Sequence, residues 1–267
     1  MTAAEGERIG DVIVSVDGPV LRATIDRPKA RNAINEAVLD GLEGALDAAE
    51  ATNAKVVVLS GGGGTFCAGA DLKLVGQLVA DRKLMSDYVT RLANVADRLE
   101  SGPFVSLAVV KGFALAGGCE LLLACDLALA SIGARIGDRH VEFGLAPGAG
   151  GSVRLLRALP KAQARYLLLT GEVITGDQAA EWGLVSRALT PSALDGAVEA
   201  AIARLAGRSG DSLRAVKRMC AAAGADRPVD EAILAEREIF LDLMETSPDV
   251  HEGLAAFGEG RTPRFET

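Results

Sequence analysis

The chain of 267 residues contains only two histidines. One of them stands in GDRHVEFG, residues 137–144, where Asp138, His140 and Glu142 occupy alternate positions between two glycines. Imidazole titrates near neutrality and serves as general acid or base, and a neighbouring carboxylate can orient it or move a proton itself. Spacing alone does not rank the three. A further candidate is Glu120, a lone carboxylate inside the apolar run CELLLAC, 119–125. An unpaired buried carboxylate is costly. Glu120 is therefore either held in the core by an arginine or a backbone donor, or is an acid or base of raised pKa.

Two glycine-bearing stretches could serve such a pair. In TFCAGADL (65–72) small residues replace the expected bulk, and in FALAGGCELL (113–122) Gly117-Gly118 opens an apolar helix. Small residues admit another molecule to the backbone, and a helix start presents free N–H groups to an anion or a developing oxyanion. One N–H from each stretch would make an oxyanion site if the two converge. Other glycine patterns fail their tests. Gly61 to Gly64 lack the third glycine of a dinucleotide fingerprint and read as a flexible turn. Gly112 to Cys119 lack the lysine and hydroxyl of a phosphate loop, and no GxSxG elbow occurs.

These groups need a scaffold. VIVSVDGPVLRATI (12–25) alternates around Asp17-Gly18 and predicts an antiparallel hairpin. Asn35 opens a helix with Val38, Leu42, Ala45, Leu46 and Ala49 on one face. KVVVLSG (55–61), FVSLAVVKG (104–112) and CDLALAS (125–131) read as buried strands, so an α/β arrangement with both sheet faces covered is expected. The segment 72–101 is helical with a charged, mobile middle at ADRK. Beyond about 150 the chain reads as nearly all helix, with a capping box at Thr175–Gln178, a short strand in LVSRAL and Pro191 at a helix start. Two more helices are expected at 211–223 and 229–245. An α/β core over 1–190 and a helical lobe over 191–267 follow.

Composition narrows the classes. The net charge of −8 and the lack of a basic stripe argue against a nucleic-acid partner. The four cysteines form no CxxC pair and have no nearby histidine, so no metal site is expected and the thiols read as buried and free, as in a reducing cytoplasm. Neither a signal peptide nor a membrane helix is expected.

Taken in order, RPKARNAIN (27–35), FCAGADL (66–72), ALAGGCELLLACDLALAS (114–131), PGAGGSVRL (147–155) and LTGEVITGDQAAEWGLV (169–185) resemble the enoyl-CoA hydratase/isomerase (crotonase) superfamily. FGEGRTPRF (257–265) is similar to its usual ending, although Gly260 stands where a lysine is common and Arg261 follows. The resemblance implies a spiral of ββα units with C-terminal helices used in a homotrimer or a dimer of trimers. It implies an acyl-CoA substrate, with coenzyme A as part of the substrate and no separate cofactor. It puts the oxyanion N–H groups on Ala70 and Gly117, and CoA contacts at Lys29, Ala30, Arg31 and Ala68, with Asp71 and Leu72 beside them.

Hydratases of the family use two glutamates. Glu120 matches the first, and the register between Gly137 and Gly144 puts His140 at the second. Glu142, along an extended segment, would point the same way further on. Asp138 either holds the His140 ring or caps the turn. Hydration of a 2-enoyl-CoA is the expected reaction, Glu120 activating water and His140 protonating Cα. The alternatives are an isomerase, another CoA-ester reaction such as decarboxylation or hydrolysis, and a CoA-ester-binding protein whose catalysis His140 impairs. Asp126, Trp182 and His251 read as structural or surface residues.

Overall fold

The computed structural model describes residues 6–224 and 227–266. Strands β1 (Glu7–Ile9), β2 (Val12–Asp17) and β3 (Val20–Ile25) form an antiparallel meander. Its tight turn pairs Asp17 with Val20 across Gly18, as the alternation predicts. Strands β4 (Val56–Gly61), β5 (Val105–Val110), β6 (Phe113–Leu115), β7 (Leu127–Ser131), β8 (Arg135–Gly137), β9 (Ile174–Thr175) and β10 (Arg187–Leu189) follow. A seven-stranded sheet runs β1-β2-β3-β4-β5-β7-β10, and a three-stranded sheet runs β6-β8-β9. From β3 onward the neighbours in the large sheet are parallel.

Helix α1 (Glu36–Ala51) starts where Asn35 accepts a hydrogen bond from the Val38 N–H, and the five predicted face residues are all buried. Helices α2 (Leu72–Leu78) and α3 (Arg82–Ser101) fill the 72–101 segment. The ADRK stretch is a helix junction, in which Asp81 caps α3 by accepting from Lys83 and Leu84 N–H. Helices α4 (Gly117–Ala124), α5 (Gly151–Ala158), α6 (Lys161–Thr170) and α7 (Gly176–Glu181) complete the region around the small sheet. The capping box at Thr175 and Gln178 is formed.

Alternation along β4 and β5 sends side chains to two cores. Val57, Leu59, Ala108 and Val110 meet α1, α3 and α4, while Val56, Val58, Leu107 and Val109 meet α8 (Pro191–Ala206) through Leu194, Val198 and Ile202. Both faces are thus covered, as the apolar strands require. Helix α9 (Gly210–Ala222) is anchored by Lys217, which pairs with Asp126 at 2.8 Å and donates to the Leu99 and Phe104 carbonyls. Asp126 also accepts from the Ser106 N–H and hydroxyl, which confirms its structural character. Helices α10 (Val229–Thr246) and α11 (Pro248–Glu259) end the described chain. Trp182 ends α7 and packs on the larger core, and His251 is exposed on α11.

The four thiols are free, but their expected burial needs correction. Cys67 and Cys119 are buried, Cys125 is half-buried, and Cys220 is exposed because it lies on the outer side of amphipathic α9. Among the described residues no helix is long and apolar enough to cross a membrane.

Candidate active site

The two stretches of small residues lie side by side. After β4 the chain passes through a 3-10 turn at Gly62–Gly64, then runs between Ile34 and Ala114. The Ile34 N–H donates to the Gly69 carbonyl and the Asp71 N–H donates to the Ile34 carbonyl, at 2.8 and 2.9 Å. In such a parallel bridge the residue between, Ala70, turns its own N–H away from Ile34. It faces the start of α4: a Cβ built on Gly117 would lie 3.5 Å from the Ala70 nitrogen. Gly117 is the first residue of α4, so its N–H has no intrahelical acceptor. Among the described hydrogen bonds neither N–H has a protein partner.

The chain enters α4 under strain. Ala116 has φ 49° and ψ −118°, a conformation alanine rarely adopts, and its N–H donates to the Gly137 carbonyl at 3.0 Å. Gly118 admits the neighbouring segment, since a Cβ there would lie 2.3 Å from the Cys67 carbonyl oxygen. The glycine pair therefore lets α4 begin directly against the bridged segment that carries Cys67 and Ala70.

Glu120 projects from the first turn of α4 and is 2% exposed. Its Oε1 accepts from the N–H of Ala149 at 2.8 Å and of Gly151 at 2.9 Å, so its partners are backbone donors rather than an arginine. Burial raises its pKa above the usual carboxylate range. The Gly151 N–H, the charge of His140 and the Ala149 N–H oppose that rise, and the charge of Asp138 adds to it.

His140 opens a 3-10 turn, His140–Phe143, and is also buried. Asp138 Oδ1 lies 2.8 Å from His140 Nδ1 and accepts from the His140 backbone N–H at 3.2 Å. Asp138 thus holds both the ring and the backbone N–H of His140, while the N-cap position of the turn is Arg139, which has no side-chain cap. A carboxylate accepts, so Nδ1 carries the proton toward it and Nε2 is the nitrogen left for chemistry. Burial disfavours the imidazolium, but the hydrogen bond and charge of Asp138, with the charge of Glu120, outweigh it and raise the His140 pKa. Each of Glu120 and His140 therefore feels the other's charge.

The extended-strand expectation for Glu142 fails. Because residues 140–143 form a helical turn, Glu142 does not follow His140 into the site but pairs with Arg139 at the surface.

A cavity of about 500 Å³ brings together Lys29, Ala30, Arg31, Ala68, Ala70, Asp71, Leu72 and His140. Leu115, Ala116, Phe143 and Leu145 add apolar wall, and Arg27, Lys73 and Arg139 add cations. Gly117 and Glu120 are not among its lining residues. Asp71 lines the cavity while holding the loop: it caps α2 through the Lys73 N–H and accepts from Arg27 Nη2 at 3.0 Å. Arg31 rests over the Phe113 ring, 5.4 Å from its centroid. Arg261 is not among the lining residues, being engaged by Glu252 and Glu259 on α11.

Sequence reasoning missed Asn32. It is fully buried, with a left-handed backbone of φ 57°. Its Oδ1 accepts from the Arg27 N–H, and its Nδ2 donates to the carbonyls of Gly62 and Thr65. The four-glycine stretch is therefore a docked turn on which the cation-bearing loop rests. The readable signal was residue type, since asparagine tolerates that backbone region and bonds local main chain.

The sheets and helices have the layout of the crotonase fold, which brings two N–H groups without a described protein partner, a buried carboxylate and a buried imidazole into one region. The chain belongs to the enoyl-CoA hydratase/isomerase family, whose model matches residues 16–267. It is 36% identical to the 2,3-dehydroadipyl-CoA hydratase of Escherichia coli K12 over 97% of this chain and 99% of that protein. It is 32% identical to the (E)-benzylidenesuccinyl-CoA hydratase of Thauera aromatica over 95% and 98% of the two chains. The crystal structure of an enoyl-CoA hydratase from Bacillus anthracis superimposes with a TM-score of 0.89 at 29% identity, covering 96% of this chain and 99% of that one. An enoyl-CoA hydratase from Mycobacterium tuberculosis H37Rv matches with a TM-score of 0.84 at 34% identity, covering 96% and 98%.

Proposed function

We propose that this chain is a hydratase-type lyase acting on 2-enoyl-CoA thioesters, with Glu120 and His140 as its acid–base pair. The observation that carries this reading is that Glu120 shares the first turn of α4 with Gly117 while His140 lines the same cavity as Ala70, each acid–base group feeling the other's charge. The Glu120 carboxylate takes a proton from water as its oxygen bonds to Cβ. The double-bond electrons pass through Cα to the thioester oxygen, where the two N–H groups stabilise the charge. Collapse of that enolate takes the Nε2 proton of His140 onto Cα. Dehydration is the same path reversed. Loss of one such oxyanion donor typically costs about 2.7–4 kcal/mol of barrier lowering.

Coenzyme A is part of the substrate, and the reaction draws on no separate cofactor. Lys29 and Arg31 supply charge for its phosphates, supported by their place at the cavity. Residues 191–267 supply the assembly surface of a homotrimer or dimer of trimers. That reading is supported by exposed apolar side chains on α10 and α11, including Val229, Leu234, Leu254 and Phe257. A cytoplasmic location accords with this chemistry.

The test is turnover of crotonyl-CoA and a panel of longer enoyl-CoA esters by wild type, Glu120→Ala, His140→Ala and His140→Glu. Activity lost in both alanine variants supports the pair. Full activity in His140→Ala overturns the role of His140. Acyl-CoA binding without turnover at any chain length shows a CoA-ester-binding protein instead.

A further inference from the structure

Arg154 sits in the middle of α5, yet its side chain turns back over the loop that opens the helix. Its Nη1 donates to the Ala149 carbonyl at 2.8 Å. The N–H of that same Ala149 donates to Glu120 Oε1, as does the N–H of Gly151. Ala149 is therefore gripped at both ends, by the carboxylate through its N–H and by the guanidinium through its carbonyl. Gly150 between them has φ 97°, and a Cβ on it would lie 2.3 Å from Arg154 Nη1, so the guanidinium packs directly on the turn.

The rest of the guanidinium faces α3. Nε donates to Glu100 Oε2 at 2.8 Å and Nη2 to Asp97 Oδ1 at 2.6 Å. The Arg154 side chain is 10% exposed, whereas both acids are at least half exposed. A planar fork with fixed donor directions suits this three-way contact, and a lysine ammonium cannot reproduce it.

We propose that Arg154 is a positioning residue for Glu120, holding the turn whose two N–H groups aim the carboxylate and tying that turn to α3. The inference rests on Glu120 being the group that activates water. A carboxylate that accepts backbone N–H bonds is favoured in its charged form, so slackening the turn raises the Glu120 pKa and leaves less of it ionised at a given pH, as well as misaiming it. The other titratable groups near Glu120 are His140 and Asp138 from the turn after β8, Tyr88 from α3 and Cys119 from its own helix. None of them hydrogen-bonds Arg154.

The experiment compares wild type, Arg154→Lys, Arg154→Gln and the double variant Asp97→Asn/Glu100→Gln for crotonyl-CoA hydration across pH. The expected result for both Arg154 variants is a fall in kcat of roughly 10-fold or more, from misplacement of a reacting group. KM should stay within about two-fold, because ground-state binding is untouched. The acidic limb of the kcat/KM profile should move to higher pH, since Glu120 loses donors that favour its charge. The double variant, which keeps Arg154 but releases its guanidinium from α3, should lower kcat by less, and it carries the test if the Arg154 variants do not fold, an unchanged kcat there overturning the proposal. A folded Arg154→Gln with wild-type kcat and an unmoved acidic limb overturns the proposal. So does a loss of activity that tracks melting temperature with the limb unmoved. Glu120→Gln separates the two levels: retained hydration in that variant defeats the role of Glu120 itself. Loss there, with Arg154→Gln unaffected, defeats only the role of Arg154.

Discussion

One carboxylate oxygen of Asp138 serves both the ring and the backbone of His140, at 2.8 Å from Nδ1 and 3.2 Å from the amide nitrogen. The two residues are neighbours but one in sequence, and the 3-10 turn folds the imidazole back onto the acid that precedes it. This fixes the tautomer with Nδ1 protonated and leaves Nε2 as the nitrogen used in the proposed mechanism.

Replacing Asp138 with Asn retains an acceptor for Nδ1 and removes the charge. Burial then dominates, the imidazolium is disfavoured, and the His140 pKa falls. The protonated form needed to deliver a proton to Cα is lost at lower pH. The alkaline limb of the hydration profile should therefore move down in pH, and the acidic limb should move down less, because the Asp138 charge is the smallest of the influences on Glu120. An unmoved alkaline limb would show that Asp138 does not set the ionisation of His140.

Gly118→Ala tests the oxyanion site through geometry. The new Cβ would meet the Cys67 carbonyl at 2.3 Å, and that contact is backbone on the far side, so α4 must shift from the segment bearing Cys67 and Ala70. Separation of the Ala70 and Gly117 N–H groups should lower kcat by roughly 100-fold or more. Steady-state kinetics on protein shown to be folded by circular dichroism checks this. Near-normal turnover would mean the two donors do not act together.

Arg31→Ala should weaken binding of substrate without slowing chemistry. Arg31 lines the cavity and rests on Phe113, and its charge is not among those that shift Glu120 or His140. A charged contact to phosphate contributes equally to ground and transition states. KM should rise by roughly 10-fold at unchanged kcat. Raising the salt concentration should narrow the difference from wild type.

Lys217→Met addresses stability alone. The Lys217 side chain is 9% exposed, and its ammonium pairs with Asp126 and satisfies the Leu99 and Phe104 carbonyls while lying over the Phe104 ring. Removing it leaves Asp126 to its Ser106 donors, strips the Leu99 and Phe104 carbonyls of their side-chain donor and frees α9 from the core. Because Asp126 is partly exposed, the cost should be that of lost charge-assisted hydrogen bonds rather than of a broken buried pair, about 2 kcal/mol. Urea denaturation would measure it, and kcat of the folded variant should match wild type.

Much of the scaffold is legible from neighbouring residues. Alternation about Asp17-Gly18 specifies the β2–β3 hairpin, the apolar face after Asn35 specifies α1, and Thr175 with Gln178 specifies the start of α7. Each signal is local, because side-chain period and capping chemistry are set within a few residues. The same holds for the two candidate acid–base residues: Glu120 stands out as a lone charge in an apolar run, and two glycines frame His140.

What the sequence could not rank was decided by backbone path and by contact between distant segments. Glu142 left the site because a 3-10 turn, not an extended strand, follows His140. Glu120 found its partners in the N–H groups of Ala149 and Gly151, and Arg154 found Ala149 from a helix that sequence alone gives no reason to place beside α3. Asn32 and the four-glycine turn became one unit only when the loop after β3 lay on the turn after β4. Residue types and local periods determined which elements form and which side chains can do chemistry. Sheet order and the close approach of glycine-lined backbones determined that Ala70 meets Gly117, because hydrogen-bond donors converge only where tertiary packing brings separate chains of the backbone together.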